Sequence, residues 1–106
     1  MSFTLGIMST IAINELYAML MERLTPEVRG MIDMKVAGDS GLQIKIDGEN
    51  CLTSIGVWPN GCCDIDFLYS TSEKGEFKHF EFQNTSAAVS PVLREIWAAT
   101  ERARCS

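Results

Sequence analysis

Two hydrophobic periods divide this chain. From Ser9 to Leu24 the apolar residues Ile13, Leu16, Tyr17, Leu20 and Leu24 follow the 3.6-residue spacing that lays one stripe along an α-helix. Ser9 or Thr10 supplies a hydroxyl to cap its start. Met8, Met19 and Met21 stand partly off the stripe, where unbranched side chains fill irregular gaps in a core or form a second contact surface. Thr25-Pro26-Glu27 signals a second helix: a capping hydroxyl, proline at the first helical position and an acid near the positive end of the dipole. Val28, Met31, Ile32 and Val36 would be its buried face, with Gly30 costing it about 1 kcal/mol relative to Ala. Ile32, Met34 and Val36 also alternate, so a strand over 31–37 competes; the clear cap favours the helix.

After Gly38-Asp39-Ser40-Gly41 the period becomes two. Leu42, Ile44 and Ile46 alternate with Gln43, Lys45 and Asp47, as in a half-buried strand. Asp47-Gly48-Glu49-Asn50 turns the chain into a second strand, Cys51 to Trp58, with Ile55 and Val57 on one face and Trp58 on the other. Pro59-Asn60-Gly61 suits a tight hairpin. Beyond it Cys63, Ile65, Phe67 and Tyr69 face one way and Cys62, Asp64, Asp66 and Leu68 the other. Glu73-Lys74-Gly75 is the next turn, and Glu76 to Gln83 is a fourth strand with Phe80 and Phe82 opposite Phe77 and His79. Ser90-Pro91 starts a last helix with Val89, Leu93, Ile96, Trp97 and Thr100 inward, and Arg102 and Arg104 near the negative end of its dipole. The pattern predicts an α+β fold in one domain, 1–106: a four-stranded antiparallel meander flanked by one or two N-terminal helices and a C-terminal helix. One sheet face is covered and the other partly open, as antiparallel sheets allow.

Charge is unevenly spread over this plan. The formal net charge is −5, which disfavours direct nucleic-acid binding because phosphate contacts need clustered Lys and Arg. Between Asp39 and Glu81 eight acids face three lysines, leaving −5 there, against −1 on residues 1–38 and +1 on residues 82–106. The acidity therefore belongs to the strands and turns. It reads either as solvation of a small protein or as a surface that meets something positive. At 46% hydrophobic and 22% charged residues the composition is that of a folded globular domain. The apolar stretch Met1 to Met21 has no Lys or Arg before Arg23 and is broken by Asn14 and Glu15, which predicts neither an export signal nor a membrane span.

Candidate chemistry is sparse. Cys62 and Cys63 are adjacent and point to opposite faces of a strand. No Cys-x-x-Cys spacing exists, and one histidine cannot complete an ordinary zinc site with these thiols. The expectation is four reduced cysteines, Cys51, Cys62, Cys63 and Cys105, in a cytoplasm, with no cofactor. Cys62 or Cys63 with His79 as base would make a small thiol enzyme, but nothing supplies an oxyanion hole or a third orienting group. Asp64, Asp66 and Glu81 share a predicted face and resemble a metal or general-acid cluster; a solvated acidic face is the simpler reading.

The run Ile55-Gly56-Val57-Trp58-Pro59-Asn60-Gly61-Cys62-Cys63-Asp64-Ile65-Asp66-Phe67, followed by His79-Phe80-Glu81-Phe82, resembles the strand-turn-strand core of TriTu-type immunity proteins of bacterial contact-dependent growth inhibition. In that group a V-W-x-x-G-x-C-D hairpin precedes a strand ending in an H-x-E-F-like sequence. Val57, Trp58, Gly61, Cys63, Asp64, His79, Glu81 and Phe82 take the matching places. The resemblance covers about residues 50–84 and does not extend residue by residue into the helices. It implies a cytoplasmic, non-enzymatic inhibitor that binds a cognate toxin domain, of a kind similar to tRNA-cleaving nucleases that work with elongation factor Tu. A nuclease attracts phosphate with positive charge, so an acidic sheet is its expected counterpart. The residues expected to meet it are Glu49, Asp64, Asp66 and Glu81, with Glu73 and Glu76 at the rim. The alternatives are an acidic secretion chaperone holding an effector segment and a small Cys/His enzyme.

Overall fold

The sheet has five strands, one more than the periodicity suggested. In a computed structural model, which describes residues 10–37, 41–48, 51–69 and 74–105, α1 (Ile13–Arg23) and a single helical turn, α2 (Pro26–Arg29), precede β1 (Ile32–Val36), β2 (Leu42–Asp47), β3 (Cys51–Val57), β4 (Cys62–Tyr69) and β5 (Lys74–Glu81), and α3 (Thr85–Cys105) closes the chain. The strands pair in sequential order and every pair is antiparallel. The architecture is α+β, with helices at both ends of the chain.

The extra strand replaces the second half of the expected second helix. Thr25 does cap α2, its Oγ1 accepting from the Val28 N–H at 3.2 Å, and Pro26 sits in the first turn. The helix then stops at Gly30. Beyond it the alternation of Ile32, Met34 and Val36 wins, because pairing sets those three beside Ile46, Ile44 and Leu42 on one face. A four-residue helix gains little, whereas a strand joins a ladder already formed.

Both long helices begin elsewhere than expected. For α1 the cap position is Ala12, with no side-chain cap; its N–H donates instead to Thr85 Oγ1 at 2.9 Å. Thr10 and Ile11 both donate to the Pro59 carbonyl, at 2.8 and 2.9 Å, which ties the helix entrance to the β3–β4 turn. In α3 the cap is Asn84, whose Oδ1 accepts from the Ala87 N–H at 2.7 Å. The helix thus starts at Thr85 and Pro91 lies inside it, leaving the Ala87 carbonyl without its usual helical donor. The earlier start fixes the buried stripe as Ala88, Val89, Val92, Leu93, Ile96, Ala99 and Thr100. Trp97 falls roughly 110° round from the middle of that stripe, at 100° per residue, and is 47% exposed, so its expected inward placement is corrected.

The core lies between the helices and one sheet face. Leu16, Leu20 and Leu24 meet Leu42, Ile44, Ile46, Ile55, Val57, Cys63 and Ile65 there, closed by the stripe of α3. Toward β5 this layer becomes polar. The Arg102 guanidinium stacks 3.8 Å from the centre of the Phe67 ring, with Lys78 Nζ at 5.6 Å. Lys78 pairs with Glu95 at 3.4 Å, while Glu95 Oε1 and Arg102 Nε are buried with no partner. Helix cover thins at this border, and β5 emerges beyond it with residues 75–79 exposed on both faces.

Candidate functional site

The face turned away from the helices is an ordered surface, because strand parity and register decide what meets on it. Each antiparallel pair sets residues side by side on the same face. One row across the sheet is Lys35, Gln43, Gly56, Asp64 and His79; the next is Asp33, Lys45, Ser54, Asp66 and Phe77. Beyond them Leu52 stands beside Leu68, and toward the other end Cys62 stands beside Glu81. Trp58 folds over this surface: a Cβ placed on Gly56 would come within 2.7 Å of the indole Cη2, so a glycine is what lets the ring lie against the strand.

Three of the expected acids converge here. Asp64 and Asp66 lie on this face of β4 and Glu81 on the same face of β5. Two of the three are not free carboxylates. His79 stands between them, with Nδ1 2.6 Å from Asp64 Oδ1 and Nε2 3.2 Å from Glu81 Oε2. These hydrogen bonds, Asp64 first and Glu81 second, favour the imidazolium and raise the His79 pKa above its ordinary 6.5. Asp66 is exposed beside Phe77. Glu76 is exposed too but belongs to the opposite face, beside Phe67, so it is not part of the same surface. Glu49 and Glu73 lie outside the described residues.

The apolar half of the face was not among the expected site residues. Leu52 is 40% exposed, Leu68 54% and Phe77 61%, and they sit in adjacent strands along one edge of the acidic group. Large apolar side chains held together in water and rimmed by charge are the usual mark of a protein-binding surface. The signal that could have found them was present: Leu68 has the parity of Asp64 and Asp66, and Phe77 that of His79.

The thiols separate by face. Cys51, Cys62 and Cys63 are free, and the Cys105 side chain lies outside the described residues. Burial, then the neighbouring Asp64, pushes the Cys63 thiol from 9.0 up to about 12. It sits on the core face, away from His79. Cys62 shares the face of His79, but both ring nitrogens of that histidine are engaged by carboxylates. Among the described residues no three His, Cys, Asp or Glu side chains gather as a metal-binding group, and no helix is long and apolar enough to cross a membrane.

Compared with protein-family profiles, with curated proteins and with solved structures, the chain matches none.

Proposed function

We propose that this protein is an immunity protein: it docks the open face of its sheet onto a basic toxin domain of a contact-dependent inhibition effector and blocks that domain's active site in the cytoplasm. The observation that carries the reading is the composition of one surface. Asp64, Asp66 and Glu81 share it with exposed Leu52, Leu68 and Phe77, giving a group of apolar anchors with acids directly beside it. Five strands about 4.8 Å apart and five to eight residues long span roughly 24 Å by 17–27 Å. That is of the order of the ~800 Å² which each partner contributes to a specific complex. Acids speed encounter with a basic partner, and a centrally buried charge pair adds several kcal/mol to the cost of losing one member.

The acids of the face support this choice of partner. A tRNA-cleaving domain needs clustered cations to hold phosphate, and those cations are what Asp64, Asp66 and Glu81 would cover. Elongation factor Tu would enter such a complex through the toxin. The commitment of both His79 nitrogens to carboxylates, and of Cys63 to the core, supports binding over thiol catalysis.

The test is growth protection and direct inhibition. Cells making a tRNA-cleaving toxin domain encoded beside this protein should be protected by it, and the purified domain should lose cleavage at one-to-one stoichiometry. Absence of both would overturn the proposal; capture of a secreted effector's segment in their place would establish the chaperone reading.

A further inference from the structure

The open face ends at an unclosed edge. Phe82 donates its N–H to the Gly61 carbonyl at 2.8 Å, which makes these two a hydrogen-bonded pair. Alternation along an antiparallel ladder then makes Cys63–Phe80, Ile65–Lys78 and Phe67–Glu76 bonded pairs in the observed register. The backbone groups of Gly75, Phe77, His79 and Glu81 therefore point away from the sheet. Among the described residues none bonds to them. A free row of donors and acceptors, flanked by a phenylalanine 61% exposed, is a template for another strand.

We propose that β5 is the two-fold interface of a homodimer, paired antiparallel with β5 of a second copy and centred on Phe77. The charge pattern selects both the occupant and the register. Centred on Phe77, the two phenylalanines stand side by side, Gly75 stands beside His79 of the second copy, and Glu76 and Lys78 meet with opposite charge twice. Sliding the second copy by two residues one way sets Glu76 against Glu76, and the other way Lys78 against Lys78; like charges directly opposite are destabilising. The outward backbone groups of Phe77 make that central pair a hydrogen-bonded one, so sequence and ladder agree. The other edge strand, β1, also alternates Asp33 and Lys35, but α1 and α2 pack against it, whereas residues 75–79 of β5 are exposed on both faces.

The two-fold axis of the resulting sheet is normal to the sheet, so both open faces lie on one side. This assembly does not depend on the identity of any partner. A strand edge alone buries less than a standard interface, so the dimer is weak, with Kd in the micromolar range or above.

Sedimentation equilibrium of the full chain over about a hundredfold range of concentration, reaching several hundred micromolar, should show reversible doubling of mass. Phe77→Pro removes an N–H that bonds nothing within the described part of the chain and is the kind of change that an edge strand tolerates. It should leave the fold intact by circular dichroism and weaken dimerisation more than tenfold. Phe77→Cys should give a disulfide-linked dimer on mild oxidation, because Cα atoms of a bonded pair lie about 5.5 Å apart, within a disulfide's reach. The wild type oxidised in parallel accounts for the native thiols. A protein monomeric throughout, a dimer that survives Phe77→Pro, or cross-linking through Met34→Cys on β1 in place of Phe77→Cys would each overturn the proposal.

Discussion

Leu68 and Trp97 form a matched pair for deciding which surface meets the partner. One stands on the open sheet face and is 54% exposed; the other stands on α3, on the helix side, and is 47% exposed. Complete burial of a leucine side chain is worth about 1.5–3 kcal/mol. With roughly half of Leu68 still in water, a partner docking on the sheet gains about 1–1.5 kcal/mol from it. The fold already holds about as much. Leu68→Ser should therefore lower stability by about 1 kcal/mol and, separately, weaken toxin binding roughly five- to tenfold. Trp97→Ser should lose as much stability or more, because an indole buries a larger area, yet leave Kd unchanged. Urea unfolding measures the first quantity, and calorimetric titration with the purified toxin domain, at a temperature where all variants are folded, measures the second. If Trp97→Ser weakens binding and Leu68→Ser does not, the interface is on the helices and the reasoning from the open face is wrong.

The remaining expectations concern charge, pH and backbone. Asp64→Lys combined with Asp66→Lys should abolish growth protection while the protein stays folded, whereas Arg94→Ala, exposed on α3, should protect normally; full protection by the double-lysine variant would place the interface elsewhere. The His79 pKa is raised in the fold by its bonds to Asp64 and Glu81, so the stability they give is fully present below the ordinary 6.5 and is lost as pH rises through the folded value. His79→Gln should flatten the stability curve across that window, and an unchanged curve would show that the clasp does not form. In the same window affinity for a basic partner should rise with pH, since losing the proton leaves Asp64 and Glu81 uncompensated; titrations at several pH values check the sign. Gly41→Ala meets a φ of +91° and would drive its Cβ into the Val57 carbonyl oxygen. The backbone conformation alone costs about 1–2 kcal/mol, so a urea midpoint equal to the parent's would refute that account of the β1–β2 turn.

Strand parity was readable because it is a local property. That Cys62, Asp64, Asp66 and Leu68 lie opposite Cys63, Ile65, Phe67 and Tyr69 follows from a period of two, and pairing preserves it. The face of α1 was readable for the same reason, with Leu16, Leu20 and Leu24 all in the core. Helix beginnings were less so. Ser90-Pro91 carries a strong local start signal, yet Asn84 caps the helix six residues earlier, because Ala88 and Val89 gain burial against the sheet that outweighs one hydrogen bond interrupted at Pro91. At Thr25-Pro26 the local signal was correct about the start and silent about the end, where Gly30 and the ladder with β2 stop the helix after one turn.

The site required a longer-range fact than periodicity supplies. Asp64, His79 and Glu81 are separable by parity into one face, but only the β4–β5 register sets Asp64 directly beside His79 and turns two solvated acids into a clasp around an imidazole. A slip of two residues would put Cys62 or Asp66 there instead with the parity unchanged. The apolar patch depends on a further step. Leu68 and Phe77 are as hydrophobic as Phe67 and Ile65, and what leaves them in water is that α1 and α3 have one stripe each and cover one face. That face is the one lined by Leu42, Ile44, Ile46, Ile55 and Ile65, the more apolar and more branched of the two. The exposed leucines and phenylalanine are thus a remainder of helix packing, held beside Asp66 by sheet register. A surface left over in this way carries a solubility penalty, and under the proposed function a basic partner would cover it, with the acids beside it favouring that charge.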